Sequence, residues 1–195
     1  MQSQFQNKFR ISSARLQPWD YSKNGAYFIT ICTQNREHFF GEIKNKEMQL
    51  SEIGKLAEQF WIEIPIHFPF IELGNFVVMP NHVHGILIIN NPVETRFIAS
   101  DNDINKETRL IESLQDQNGG GICGNKNPMI HDNISKIIRW YKGRCTFESR
   151  KINSNFGWQS RFHDHIIRNS KSFEIIQNYI VENPLKWKND TFFDL

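Results

Sequence analysis

The sequence predicts an α+β fold, an antiparallel sheet with helices packed mainly on one face. Three observations carry this. Tyr27-Phe28-Ile29-Thr30-Ile31-Cys32-Thr33 and the stretch from Glu72 to Ile89 are rich in β-branched and aromatic residues, the composition of strands. Two other segments, beginning near Ser51 and Ile134, repeat apolar residues at helical spacing. The two middle strands are joined so tightly, at Pro80-Asn81, that an antiparallel pair or one long bent ribbon is the natural arrangement.

Taken in order, residues 1–25 read as an irregular amino-terminal arm, with Pro18, Asn24 and Gly25 as breakers. The first strand covers Tyr27 to Thr33, and a short hairpin is expected over 39–50. Ser51 is a plausible N-cap for a helix to about Ile64, where Ile53, Leu56, Ala57 and Phe60 share one buried face. Pro65 and Pro69 are expected to end it. Strands from about Glu72 to Met79 and His82 to Ile89 follow. Residues 91–130 are polar and contain Gly119-Gly120-Gly121, which suits a loop or insertion. Within them Glu94-Thr95-Arg96-Phe97-Ile98-Ala99-Ser100 is echoed by Glu107-Thr108-Arg109-Leu110-Ile111-Glu112-Ser113. Two such units are too few for a solenoid. Asp132 or Asn133 caps a helix from Ile134 to about Lys151, with Ile137, Ile138, Tyr141 and Cys145 near one face. Trp158 to Ile167 reads as the last strand. Ser172 opens a final helix to about Glu182, stopped by Asn183-Pro184. Strand, helix, strand, strand, helix, strand, helix is the order of a ferredoxin-like sandwich.

The length of 195 residues suits one domain with an insertion, and 16 Phe supply a core. The net charge of +2 announces no polyanionic partner, but Lys136, Arg139, Lys142, Arg144, Arg150 and Lys151 crowd one segment, and Arg161 and Arg168 follow. Local cationic patches bind phosphates even when the total is near neutral. A solvated helix face explains the same charges. Cys32, Cys123 and Cys145 form no C-x-x-C pair, which excludes a zinc knuckle or a dithiol redox motif and fits reduced thiols. No signal-peptide core and no membrane-length apolar run is visible, so a soluble, cytoplasmic protein is expected.

The chemistry centres on Met79-Pro80-Asn81-His82-Val83-His84-Gly85. On a strand His82 and His84 project to one face while Val83 points to the other. Two imidazoles side by side are half of a metal site. On the last helix Tyr179 and Asn183 are four residues apart and share a line, beside a stripe of Phe173, Ile176 and Ile180. An amide oxygen is a hard donor able to complete such a site. A phenol, with its pKa near 10, needs assistance to act as a nucleophile at neutral pH. A cation that polarises a phosphate supplies it.

These residues resemble the HUH single-tyrosine transposases, in the REP-associated tyrosine transposase branch. The likeness rests on Met79-Pro80-Asn81-His82-Val83-His84, then Trp158-Gln159-Ser160-Arg161-Phe162 with His165-Ile166-Ile167-Arg168-Asn169, then Tyr179-Ile180 with Asn183-Pro184. It runs from about Tyr27 to Trp187 and fails only in the insertion. The resemblance implies that residues 26–190 form one catalytic domain and that Tyr179 is the nucleophile. It implies that His82, His84 and Asn183 hold Mg²⁺ or Mn²⁺, and that the reaction leaves a 5′-phosphotyrosine and a free 3′-hydroxyl. It also implies a substrate of single-stranded, hairpin-bearing DNA, a nucleoid association when bound, and a possible homodimer. Arg139, Lys142, Arg144, Arg161 and Arg168 are the candidate DNA contacts.

Alternatives remain at this level. Tyr141, in Arg139-Trp140-Tyr141-Lys142, is a rival nucleophile. His163-Asp164-His165 is a second His-x-His, read as an edge strand rather than a metal site. Trp140, Trp158 and Trp187 suit either base stacking or the core. A domesticated binder that grips structured DNA without cutting, or a hydrolytic metal-dependent nuclease, would share most of these features.

Overall fold

The structure, a computed structural model, describes residues 4–5, 8–9, 23–91 and 133–193. The predicted insertion and its internal echo fall almost entirely outside the described residues, as does most of the arm. Strands β1 (Gln4–Phe5) and β2 (Lys8–Phe9) pair with each other. The main sheet contains β3 (Gly25–Cys32), β6 (Ile71–Met79), β7 (His82–Ile89) and β8 (His163–Ile167). Its order is β6-β7-β3-β8, with every neighbour antiparallel. This is the α+β, ferredoxin-like arrangement read from the sequence.

Strand alternation sorts the residues into two layers. Tyr27, Ile29, Ile31, Val83, Leu87 and Ile89 face the larger core. There they meet α1 (Glu52–Ile62), the short α2 (Ile64–His67) and α3 (Ile134–Ile152). On the opposite face Phe28, Ile86 and Ile88 pack against Ile180, Phe173 and Ile176 of α4 (Ser170–Glu182). His82 and His84 lie in register with the second set, so the histidine pair faces α4.

Gly85 lets the first layer close. A Cβ there would overlap the indole of Trp61 on α1, so only hydrogen leaves room for that ring against the sheet. A second hairpin, β4 (Gly41–Lys44) and β5 (Glu47–Leu50), turns through Asn45 and Lys46, both at positive φ, as a tight two-residue loop requires. The expected caps are present at Ser51, whose side chain accepts from Gly54 N, and at Asn133, which accepts from Lys136 N.

Four local expectations are corrected. Helix α1 ends at Ile62, and Pro65 opens α2 rather than closing α1, because a proline in a first turn needs no N–H. Strand β8 begins at His163, not Trp158. Trp158 makes only an isolated bridge to Thr33, and the Lys142 ammonium donates to the carbonyls of Gln159 (2.5 Å) and Arg161 (3.1 Å), which takes this segment out of the ladder. The cap of α4 is Asn169, whose side chain accepts from Ser172 N. Pro184 does not stop the chain's winding but starts a 3₁₀ segment, Pro184–Asn189. Among the described residues no helix is long and apolar enough to cross a membrane.

Candidate active site

His82 and His84 begin β7, immediately after the two-residue turn Pro80-Asn81, so their placement depends on how that turn is held. Two groups pin it from outside the sheet. Thr33 donates to Asn81 O through both its N–H (2.9 Å) and its hydroxyl (3.0 Å), and Phe40 N donates to Pro80 O (3.0 Å). The imidazoles then stand with ring centroids 4.4 Å apart.

Each ring is oriented by a second partner. Asn81 Nδ2 donates to Phe192 O at 2.8 Å, which fixes its amide so that Oδ1 faces His82. An amide oxygen only accepts, so His82 Nδ1 carries the hydrogen and Nε2 is left with a lone pair. That Nε2 is buried and has no hydrogen-bond partner. His84 Nδ1 lies 2.8 Å from Thr30 Oγ1, and its Nε2 lies 3.2 Å from the Tyr179 hydroxyl. Burial lowers the pKa of both rings. His82 falls well below the usual range, with the neighbouring His84 adding to the effect. His84 falls to about 4 through burial, against an opposing pull from Asp190. Both are therefore neutral at pH 7, the form that ligates a metal.

Helix α4 brings Tyr179 over the pair. Its ring packs edge-on to Phe28, which in turn stacks on His84. Tyr179 is 40% exposed. The phenol is pushed up to about 12, first by burial and then by Asp190. Left alone it is protonated at neutral pH. Tyr141 is placed differently: it is fully buried, and its hydroxyl donates to Ala57 O at 3.0 Å. No substrate reaches it without unpacking the core.

The residue that the sequence reading missed is Asp190. The 3₁₀ segment carries the chain back over the histidines, and Asp190 caps it. One carboxylate oxygen accepts from Asn183 Nδ2 (2.9 Å) and faces the Tyr179 hydroxyl (3.4 Å), while the other accepts from Phe192 N (2.8 Å). Ligand atoms of His82, His84 and Asp190 all lie within 4.8 Å of one another. Two imidazoles and a carboxylate form a donor set for a divalent cation, and the unpartnered Nε2 of His82 is the kind of buried polar atom such an ion would satisfy. Asn183, the expected third ligand, sits beside this set. Its amide nitrogen is spent on Asp190, and its Oδ1 is buried without a partner. Phe192 covers the His82 ring at 4.7 Å, with Arg36 above Phe192. Among the described residues these three are the one group of His, Cys, Asp or Glu side chains close enough to share a metal ion, and His163 and His165 lie on the edge strand β8.

Of the candidate DNA contacts, Arg139, Arg144, Arg161 and Arg168 are exposed. The Lys142 ammonium is engaged by the two carbonyls before β8. Arg139, Lys142 and Arg144 belong to α3, across the sheet from α4.

Several known proteins are similar to this chain. No family model matches the chain. A Haemophilus influenzae protein of uncharacterised function is 36% identical over 182 residues, 93% of this chain and 92% of its own. A second protein of that organism, named "Putative REP-associated tyrosine transposase", is 24% identical over 172 residues, 86% of this chain and 74% of its own. Among solved structures, a REP-associated tyrosine transposase bound to a REP hairpin superposes with a TM-score of 0.55 at 21% identity, covering 90% of this chain and 74% of that one. The fold is that of this transposase, and the chain's resemblance is to the REP-associated branch of the single-tyrosine class. The chain belongs to the same family as the 36% identical Haemophilus influenzae protein.

Proposed function

We propose that the chain is a transposase-type enzyme that nicks and rejoins single-stranded, hairpin-bearing DNA through Tyr179. The observation that carries the proposal is the meeting of four groups at one point. The phenol of Tyr179 lies 3.2 Å from His84 and 3.4 Å from Asp190, beside the unpartnered His82 nitrogen. An imidazole and a carboxylate at the hydroxyl, with a second neutral imidazole beside them, favour a chemical role for this tyrosine.

Residues 26–190 act as the catalytic unit in this reading. His82, His84 and Asp190 would hold the divalent ion, Mg²⁺ or Mn²⁺, with Asn183 orienting Asp190 through its amide nitrogen and its Oδ1 able to serve as a further donor. When bound, that ion supplies positive charge to a non-bridging phosphate oxygen and favours the phenolate. Tyr179 Oη attacks phosphorus, the bond from phosphorus to the 3′ oxygen breaks, and a 5′-phosphotyrosine forms. The phenolic proton leaves to solvent and the departing oxygen takes one proton from solvent to become a 3′-hydroxyl, so the two transfers balance. Reversal at another end rejoins DNA with the bond energy conserved. The DNA partner is supported by the hairpin on the similar transposase.

The test incubates the protein with Mn²⁺ and labelled hairpin-bearing single-stranded DNA, then looks for a denaturation-resistant complex. The expected result is an adduct that disappears in Tyr179→Phe and persists in Tyr141→Phe. DNA binding with no cleavage would favour a non-cutting binder. Cleavage without an adduct would favour hydrolysis by water.

A further inference from the structure

An open groove of about 840 Å³ runs along the outer side of α3, remote from the histidine pair. Arg139, Gly143, Phe147 and Arg150 line it at intervals of four, four and three, one stripe along the helix. The opposite wall includes Phe162 and is fixed by Lys142, which donates to the Gln159 and Arg161 carbonyls. Gln159 N in turn donates to Cys32 O, and Cys32 is paired with His82. The wall of the groove is therefore tied to the end of the sheet that carries the candidate active site.

Three features describe what fits there. Among the described residues the lining has three cations, Arg139, Lys142 and Arg150, and no carboxylate; Lys142 and Arg150 also donate to backbone carbonyls, and the net positive lining favours a polyanion. Phe147 is 63% exposed in the middle of the stripe, with the Lys151 ammonium 4.5 Å from the centroid of its ring, so a further cation stands beside the exposed aromatic. Gly143 sits inside a helix, where glycine is the poorest ordinary residue, yet a Cβ there would meet no protein atom within 4 Å. Internal packing does not require that glycine. It leaves the helix surface open at that point.

We propose that this groove holds an unpaired stretch of the DNA strand, with phosphates against Arg139 and Arg150 and a base against Phe147. Cations that track a backbone, interleaved with an aromatic platform, are how proteins grip single strands. The stripe from Arg139 to Arg150 spans about 16 Å of helix, room for a few nucleotides. The inference rests on the nucleic-acid reading above and adds to it a recognition site separate from the cutting site.

The experiment measures fluorescence anisotropy of labelled dT12 with the full chain in EDTA. Gly143→Leu, which fills the floor, is expected to weaken binding about ten-fold, and Phe147→Ala about five-fold or more. Gly143→Ala, a smaller intrusion, should lose less than Gly143→Leu. Affinity for a blunt duplex of the same length should move less than two-fold in the same variants. Wild-type affinity for dT12 in both Gly143→Leu and Phe147→Ala, or absence of dT12 binding by the wild type, overturns the proposal. Equal weakening for duplex and single strand also overturns it, since the groove would then be a general phosphate contact. If Gly143→Leu does not fold, Phe147→Ala decides alone, because its ring is largely outside the core. The assay contains no metal and reads no cleavage, so its failure is distinguishable from failure of the covalent adduct.

Discussion

A single amide decides the tautomer of His82. Asn81 accepts from Nδ1 and is itself locked by Phe192 O, so Nε2 is the atom presented to a ligand. Groups that orient a ligating imidazole commonly govern metal affinity by about 10–100-fold. Asn81→Ala is therefore expected to weaken Mn²⁺ binding by about that factor in isothermal titration, and Asp190→Ala by at least as much. Affinity unchanged in Asp190→Ala would remove the carboxylate from the site. That both histidines share a face followed from period-2 spacing, whereas Tyr179 was singled out by the resemblance of its helix to the transposase motif. Asp190 was legible by neither route. It follows a 3₁₀ segment with no periodic pattern, in Lys188-Asn189-Asp190, and reaches the histidines only because the chain folds back over them. Its one sequence signal is weak: a lone acid a few residues beyond Asn183-Pro184. Asn183 was read as a ligand from its spacing to Tyr179, and the structure spends its amide nitrogen on orienting Asp190.

At the scale of elements, β7 carries both layers of the molecule. Its even residues from His82 to Ile88 face α4, and Val83, Leu87 and Ile89 face the larger core. Gly85 sits between these duties, under Trp61. Gly85→Val forces that indole off the sheet, and overpacking of this sort costs about 1–3 kcal/mol or more. Urea unfolding should show the loss, and a variant as stable as wild type would mean the indole has room to move. Asn169→Ala removes the α4 cap at a cost of about 1 kcal/mol. Because α4 carries Tyr179, the same variant should slow adduct formation. The misread boundaries share a physical origin. Pro65 and Pro184 were taken as stops, but a proline's missing N–H also suits a first turn, and spacing alone does not separate the two. The early start expected for β8 failed because Lys142, distant in sequence, captures the carbonyls that a ladder would have used.

For the whole molecule, the sheet separates two features: the histidine–tyrosine cluster on the α4 face and a cationic stripe on α3. Neutral, buried imidazoles bind a cation only in the folded chain, so Mn²⁺ should raise the melting temperature and EDTA should reverse it. At one hundred times the dissociation constant the stabilisation is about 2.7 kcal/mol. Two imidazole donors favour Mn²⁺ over Mg²⁺, which prefers oxygen, so the shift should be larger with Mn²⁺. Arg139→Glu should lower DNA affinity and flatten its dependence on salt by about one unit of slope or more, because each phosphate contact releases a counterion. Lys142 is a poorer probe, since its loss also frees the Gln159 and Arg161 carbonyls. The most direct measurement is mass spectrometry of the trapped protein–DNA adduct after proteolysis and nuclease digestion. The account predicts one modified peptide, with a 5′-phosphodeoxynucleotide on Tyr179. A nucleotide found on Tyr141 or any other side chain, with Tyr179 unmodified, would contradict it.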